Sequence, residues 1–201
     1  MRTRWVHVDP EHPDPAVIRE AAALLRRGGL VAFPTETVYG LGANLEDPQA
    51  IQELYLVKQR PFKKQATLHI ADLGLLESQE VIVSEFARGL MQHFWPGPLT
   101  LIFSRSDGST IGFRYPKHPV ALQLLAQAGV PVVAPSANLS GRPPARRGQE
   151  IWDTFADRID FILDAGPTPV GIESTVLDLT QTPPAILRPG ALAREIERFL
   201  Q

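Results

Sequence analysis

The heptapeptide Lys58-Gln59-Arg60-Pro61-Phe62-Lys63-Lys64 puts four cations into seven positions of a chain whose formal net charge is -2. Positive charge gathered against a slightly acidic background focuses potential where a phosphate or carboxylate can be held. Lys58 supplies a compact ammonium and Arg60 a planar fork, so the pair can grip an anion as a point charge and as a two-donor clamp. Taken alone, the same residues are equally consistent with a solvated basic turn. A second polar run, Ser136-Ala137-Asn138-Leu139-Ser140-Gly141, follows a short apolar segment. Its hydroxyls, amide and exposed backbone N–H groups suit phosphate oxygens or a base edge, or else a helix cap. Arg114 before Tyr115-Pro116, Glu173-Ser174-Thr175 and Arg188-Pro189-Gly190 repeat the theme at the ends of further apolar runs. These residue types bind anions, and catalysis among them would work by placement and charge neutralisation.

Other chemistries are excluded or weak. The chain has no cysteine, which removes disulfides, thiol nucleophiles, iron–sulfur clusters and thiolate zinc sites. No glycine-rich loop ends in Lys-Ser or Lys-Thr, and the pattern begun by Gly40 and Gly42 has Leu45 where a dinucleotide fingerprint needs its third glycine. His7, His12, His69, His93 and His118 form no HExxH pair. No Ser-His-Asp order and no acid–base carboxylate pair emerges from the spacing.

Segment patterns predict the elements that must position these residues. Asp14-Pro15 caps a helix over Ala16–Arg27, and Gly28-Gly29 ends it. Leu30–Phe33 reads as a buried strand, with a loop over Thr35–Asn44 after Pro34. Asp47-Pro48 starts a second helix reaching about Lys58, and Thr67–Ala71 reads as a strand. A helix over Val81–Phe94 leads to a hairpin, Leu99–Phe103 and Thr110–Arg114, turned at Ser106–Ser109. Then come a helix Val120–Ala128, a strand Val132–Ala134, strands at Phe161–Leu163, Ser174–Leu177 and Ile186–Leu187, and a helix Leu192–Leu200. Helices and strands alternate, but the hairpin requires a mixed rather than a parallel sheet.

With 201 residues, 44% of them hydrophobic and 21% charged, the chain fits one compact domain spanning 1–201. The glycines and prolines cluster around the motifs instead of forming a linker. No apolar run approaches the roughly 20 residues that span a bilayer, and the N-terminus lacks the apolar stretch of a secretory signal. A cytoplasmic enzyme with no membrane association is the expectation.

Seven segments, FPTETVYGLG, KQRP, FWPGPLT, GFRYPKHP, PVVAPSANLSG, GIESTVLDL and ILRPGA, together resemble the YrdC-like family of threonylcarbamoyl-AMP synthases. They run from Phe33 to Ala191 and so cover nearly the whole chain. The resemblance implies an α/β fold whose twisted mixed sheet, with flanking helices, surrounds a concave, positively lined cavity. It implies conversion of L-threonine, bicarbonate or CO2, and ATP to threonylcarbamoyl-AMP and pyrophosphate, for N6-threonylcarbamoyladenosine (t6A) modification of tRNA. Implied partners are the threonylcarbamoyl-transferase proteins of that pathway and a transient tRNA contact. Absence of a further domain after ILRPGA matches the family's short form.

Residue by residue, Thr35 matches a hydroxyl that seats threonine, and His69 a histidine near the amino acid. Lys58 and Arg60 match the Lys-x-Arg pair that holds bicarbonate, carbamate and ATP phosphates, the two expected catalytic residues. Arg114, Ser136, Asn138, Ser174 and Arg188 match nucleotide-side positions. Mg2+ is the implied cofactor, held mainly by the ATP phosphates; Glu36 and Glu173 could support the cations, help the metal, or simply belong to the core. One segment departs from the family: a Pro-Leu step common after KxRP is replaced here by Lys63-Lys64-Gln65-Ala66, which bears on how this loop closes. Two other readings remain, a related carbamoyl-adenylate enzyme and a nonenzymatic RNA-binding module.

Overall fold

The structure, a computed structural model, describes residues 2–201. Along the chain run β1 (Arg4–His7), α1 (Pro15–Arg26), β2 (Val31–Phe33), β3 (Gly40–Asn44), α2 (Pro48–Val57) and β4 (Leu68–His69). There follow α3 (Gly74–Ser78), α4 (Glu85–Phe94), β5 (Leu99–Ser104), β6 (Thr110–Arg114), α5 (Pro119–Ala128) and β7 (Val132–Val133). The last elements are α6 (Gly148–Phe155), β8 (Phe161–Asp164), β9 (Thr175–Asp178), β10 (Ala185–Arg188) and α7 (Ala193–Phe199).

The helix starts follow from their caps. Asp14 accepts from Ala16 N, Asp47 from Gln49 N and Ala50 N, and Ser84 from Ala87 N, while prolines open α1, α2 and α5. His118 caps α5 by accepting from Val120 N through Nδ1 at 3.2 Å.

All ten strands join one twisted sheet in the order β1-β8-β2-β3-β7-β4-β6-β5-β9-β10. Parallel pairs β1–β8, β8–β2, β4–β6 and β5–β9 sit among antiparallel ones, so the sheet is mixed, as the sequence predicts. Successive residues alternate between two apolar clusters: Val31, Phe33, Phe161 and Leu163 face α1 and α5, while Ala32 and Ile162 face the opposite side. That opposite cluster also gathers Leu54, Leu90, Phe103, Phe113, Ile151 and Ile196, so helices cover parts of both faces.

Several elements differ from the sequence reading. Gly40–Asn44 is a strand, not part of a loop, paired antiparallel with β2 on one side and β7 on the other. Its two glycines lack β propensity but allow close packing: a Cβ on Gly42 would lie 3.0 Å from the Phe33 ring and 3.3 Å from Val132 Cγ1. Strand β4 is two residues instead of five, and Val81, expected in a helix, bridges Arg105 before α4 begins at Glu85. The elements β1, α3 and α6 have no counterpart in the prediction; α6 emerges from the Pro- and Arg-rich stretch RPPARRG and buries Ile151 and Phe155.

Gly42→Val should therefore overpack the β2–β3–β7 junction. A loss of about 1–3 kcal/mol in urea unfolding is expected, and unchanged stability would contradict this packing.

Candidate active site

Side chains two apart on a strand share a face, so Thr100 and Ile102 of β5 project beside Gly112 and Arg114 of β6. With Thr67, His69 of β4, Val176 of β9 and Arg188 of β10, they line a cleft of about 240 Å3. The remaining walls come from Thr35 and Val38–Gly40, from Arg60 and Gln65–Ala66, from Ala134–Ser136 and from Glu173–Ser174. Seven of the nine residues nominated from the sequence, Thr35, Arg60, His69, Arg114, Ser136, Ser174 and Arg188, thus meet in one cavity. Gly112 and Thr100 were not nominated, although the two-residue spacing from Gly112 to Arg114 carries that signal.

At one end stand Thr35, His69 and Arg114. Thr35 donates its hydroxyl to Val38 O at 2.6 Å, which leaves the oxygen as acceptor for Arg114 Nη2 at 3.3 Å. His69 and Arg114 are register partners across β4 and β6. Arg114, expected among the nucleotide-side positions, thus stands beside the two residues expected near the amino acid. Burial, reinforced by the Arg114 charge, pushes the His69 imidazole down to about 3, so the ring is neutral at physiological pH. Its Nδ1 faces Thr67 O at 3.4 Å.

The other end is built on Arg188. Its Nη1 contacts Glu173 Oε1 at 2.6 Å, while Nε and Nη2 donate to Ser174 O at 3.2 and 2.9 Å. Nη2 also reaches Ser174 Oγ at 3.1 Å, and that hydroxyl meets Thr100 Oγ1 at 2.9 Å. Burial lowers the pKa of Arg188 from its ordinary value, but an arginine remains cationic at any physiological pH. Arg60 also lines the cleft, donating to Lys64 O and Gln65 O at 3.2 and 2.9 Å and lying 5.9 Å over the Tyr55 ring. The Tyr55 hydroxyl donates to Lys64 O at 2.7 Å. The departing segment Lys63–Ala66 is thus tied back by Tyr55 of α2 and by Arg60 just beyond it.

Lys58 and Asn138 do not line the cleft. Helix α2 ends at Lys58, and Gln59 turns into the left-handed region at φ 51°, sending Lys58 and Arg60 to different partners. Lys58 is 2% exposed, and its ammonium donates to Ser136 O and Asn138 O at 2.5 and 2.6 Å. The Asn138 amide donates to Leu139 O and Arg142 O, and its oxygen accepts from Ser136 Oγ at 2.7 Å. Both side chains hold the shape of the Ser136–Gly141 loop, beside the cleft that Ser136 lines. Burial, with Arg60 nearby, pulls the Lys58 ammonium down to about 7. Among the described residues no three His, Asp or Glu side chains gather as a metal site, and Glu173, already engaged by Arg188, is the carboxylate lining the cleft.

The arrangement gathers hydroxyls, a neutral imidazole and three arginines around one cleft, a set suited to anionic and hydroxyl-bearing ligands. A model of the Sua5/YciO/YrdC family, described as telomere recombination, matches residues 23–190. The chain belongs to that family. It is 44% identical over 188 residues to the threonylcarbamoyl-AMP synthase of Bacillus subtilis, covering 89% of this chain and 54% of the relative. It is 43% identical over 193 residues to that of Pyrococcus abyssi, covering 91% and 57%. The chain spans little more than half the length of these relatives. The crystal structure of P. abyssi Sua5 complexed with L-threonine superposes with a TM-score of 0.93 at 42% identity, over 98% of this chain and 61% of that one. Escherichia coli YciO gives 0.84 at 29% identity, over 94% and 96%.

His69 has a consequence for stability. Between its ordinary value of 6.5 and its folded value of about 3, the unfolded chain takes up a proton that the folded chain refuses. Stability therefore falls as pH drops through that window, by up to about 1.4 kcal/mol per pH unit from this residue. His69→Gln should flatten the acid limb of urea-unfolding free energy between those limits; parallel limbs in the two proteins would refute the burial of a neutral imidazole.

Proposed function

We propose that this chain is a threonylcarbamoyl-AMP synthase, using L-threonine, bicarbonate or CO2, and ATP, and releasing pyrophosphate. The observation that carries this reading is one cleft that brings together Thr35, Arg60, His69, Arg114, Ser136, Ser174 and Arg188. The likeness to the threonine-bound P. abyssi protein supports it.

The chemistry suits the site. The threonine amine attacks the carbon of CO2, forming an N–C bond and a carbamate while a proton passes to solvent. A carbamate oxygen then attacks the α-phosphorus of ATP, and the bond to pyrophosphate breaks. Two anions must approach, so Arg60 and Arg188 are suited to offset phosphate charge and Arg114 to orient the amino-acid carboxylate. With Nδ1–H directed at Thr67 O, the other nitrogen of neutral His69 is an acceptor, matched to a substrate hydroxyl or ammonium. Loss of Lys58 would act through the Ser136–Gly141 loop that it anchors. Walls on several sides limit hydrolysis of the labile carbamate. Magnesium would arrive on the ATP phosphates, with Glu173 the carboxylate near enough to assist.

Residues 1–201 would act as one catalytic domain in the cytoplasm; no helix among the described residues is long and apolar enough to cross a membrane. The product would pass to a threonylcarbamoyl-transferase protein acting on tRNA, with tRNA touching this protein transiently.

Pyrophosphate release is expected only when threonine, bicarbonate and ATP are all present. Release without threonine, but with carbamoyl phosphate, would favour a carbamoyl-adenylate enzyme. Salt-sensitive RNA binding with no release would favour a binding module. Arg60→Ala and Arg188→Ala should each lower turnover roughly 100-fold or more, the scale of losing one charge-stabilising donor. Near-normal rates in folded variants would remove those roles. Lys58→Ala should lower both turnover and melting temperature, since two part-buried carbonyls lose their donor.

A further inference from the structure

Glu36 follows Thr35 directly, is 6% exposed, and does not itself line the cleft. Its Oε1 stands 2.9 Å from Arg114 Nη2, and its Oε2 accepts from Lys117 N at 3.0 Å. Its backbone carbonyl accepts from Val170 N at 2.9 Å, so the residue is fixed by three separate segments. The Arg114 and Glu36 side chains are 5% and 9% exposed, and solvent screens their fields little. The contact with Oε1 lies within ion-pair range without hydrogen-bond alignment, and Arg114 Nε is buried with no partner. The carboxylate therefore cancels the guanidinium's charge while leaving donors uncommitted.

Arg114 is thereby matched by Glu36 and Arg188 by Glu173, while Arg60 is held by backbone carbonyls and the Tyr55 ring. Arg114 and Glu36 sum to zero, whereas Arg60 and Arg188 outweigh Glu173. A neutral end accepts a zwitterion, whose carboxylate finds the open guanidinium donors, but repels a phosphate through the nearby Glu36 charge. We propose that Glu36 is a positioning residue that sets the ligand selectivity of the Arg114 end, admitting an amino-acid zwitterion and confining phosphates to the Arg60–Arg188 end. The inference rests on the reading that an amino acid and ATP share this cleft.

Glu36→Gln keeps the shape and an acceptor for Lys117 N while removing the charge. Calorimetry with inorganic phosphate should then detect a second bound equivalent at least tenfold tighter than any in the wild type. Phosphate should also become competitive with threonine, whose KM should rise more than kcat falls. Glu36→Asp retains the charge and should restore exclusion of phosphate. Folded E36Q with wild-type phosphate binding would overturn the inference. A wild-type protein that releases no pyrophosphate with threonine would overturn the functional reading instead, because phosphate binding is measured without turnover. Should E36Q fail to fold, Arg114→Gln decides: phosphate binding should match the wild type, and a tenfold loss would show that Arg114 already holds phosphate.

Discussion

Like charges converging on one cavity repel, and this site is organised around holding them there. Arg114 has a carboxylate and a hydroxyl, Arg188 a carboxylate and a carbonyl, Arg60 two carbonyls and Lys58 two more. At about 4 Å and an effective dielectric near 20, a like-charge pair costs about 4 kcal/mol. The backbone carbonyls lower that cost without adding negative charge. This is why the loops at Lys58–Thr67 and Ser136–Gly141 fold around the cations: each loop supplies carbonyls that a regular helix or strand would have consumed internally.

Most of the fold was readable because its signals are local. Asp14-Pro15 and Asp47-Pro48 announce helix starts through a side-chain acceptor and a fixed φ, and both caps form. The hairpin of β5 and β6 needs only an apolar alternation and a polar turn. What escaped depends on tertiary neighbours. Gly40–Asn44 has the composition of a loop, and only the proximity of Phe33 and Val132 explains why small residues are needed in a central strand. The four-residue β1 is an edge strand whose pairing with β8 lies more than 150 positions away in sequence. No local pattern encodes such a partner.

The site was legible in membership more than in role. Strand-end arginines and hydroxyls could be nominated from sequence, and seven of the nine nominees meet. Direction was not legible: across one left-handed residue, Gln59, Lys58 turns to the Ser136–Gly141 loop while Arg60 lines the cleft. Sequence spacing places both cations on one anion, whereas the backbone gives one to the loop and the other to the cleft. That Arg114 stands beside His69 was hidden for a similar reason, because their register is a property of β4–β6 pairing. Glu36 could be named only as a generic support, since its partner lies 78 positions downstream.

The chain as a whole is slightly acidic at -2, so anions are drawn by the local field of the cleft rather than by the protein's total charge. At physiological ionic strength fields between exposed charges fade over about 8 Å, and Lys63 and Lys64 on the exposed loop act within that range. The buried Arg114 and the half-buried Arg188 keep their influence inside the cavity, where water is scarce. Binding an anion there replaces hydration with donors already aimed by carbonyls and carboxylates, so little reorganisation is needed as charge shifts during reaction. The same partners that make a crowded set of cations tolerable in the empty cleft are therefore what orders them for a charged ligand.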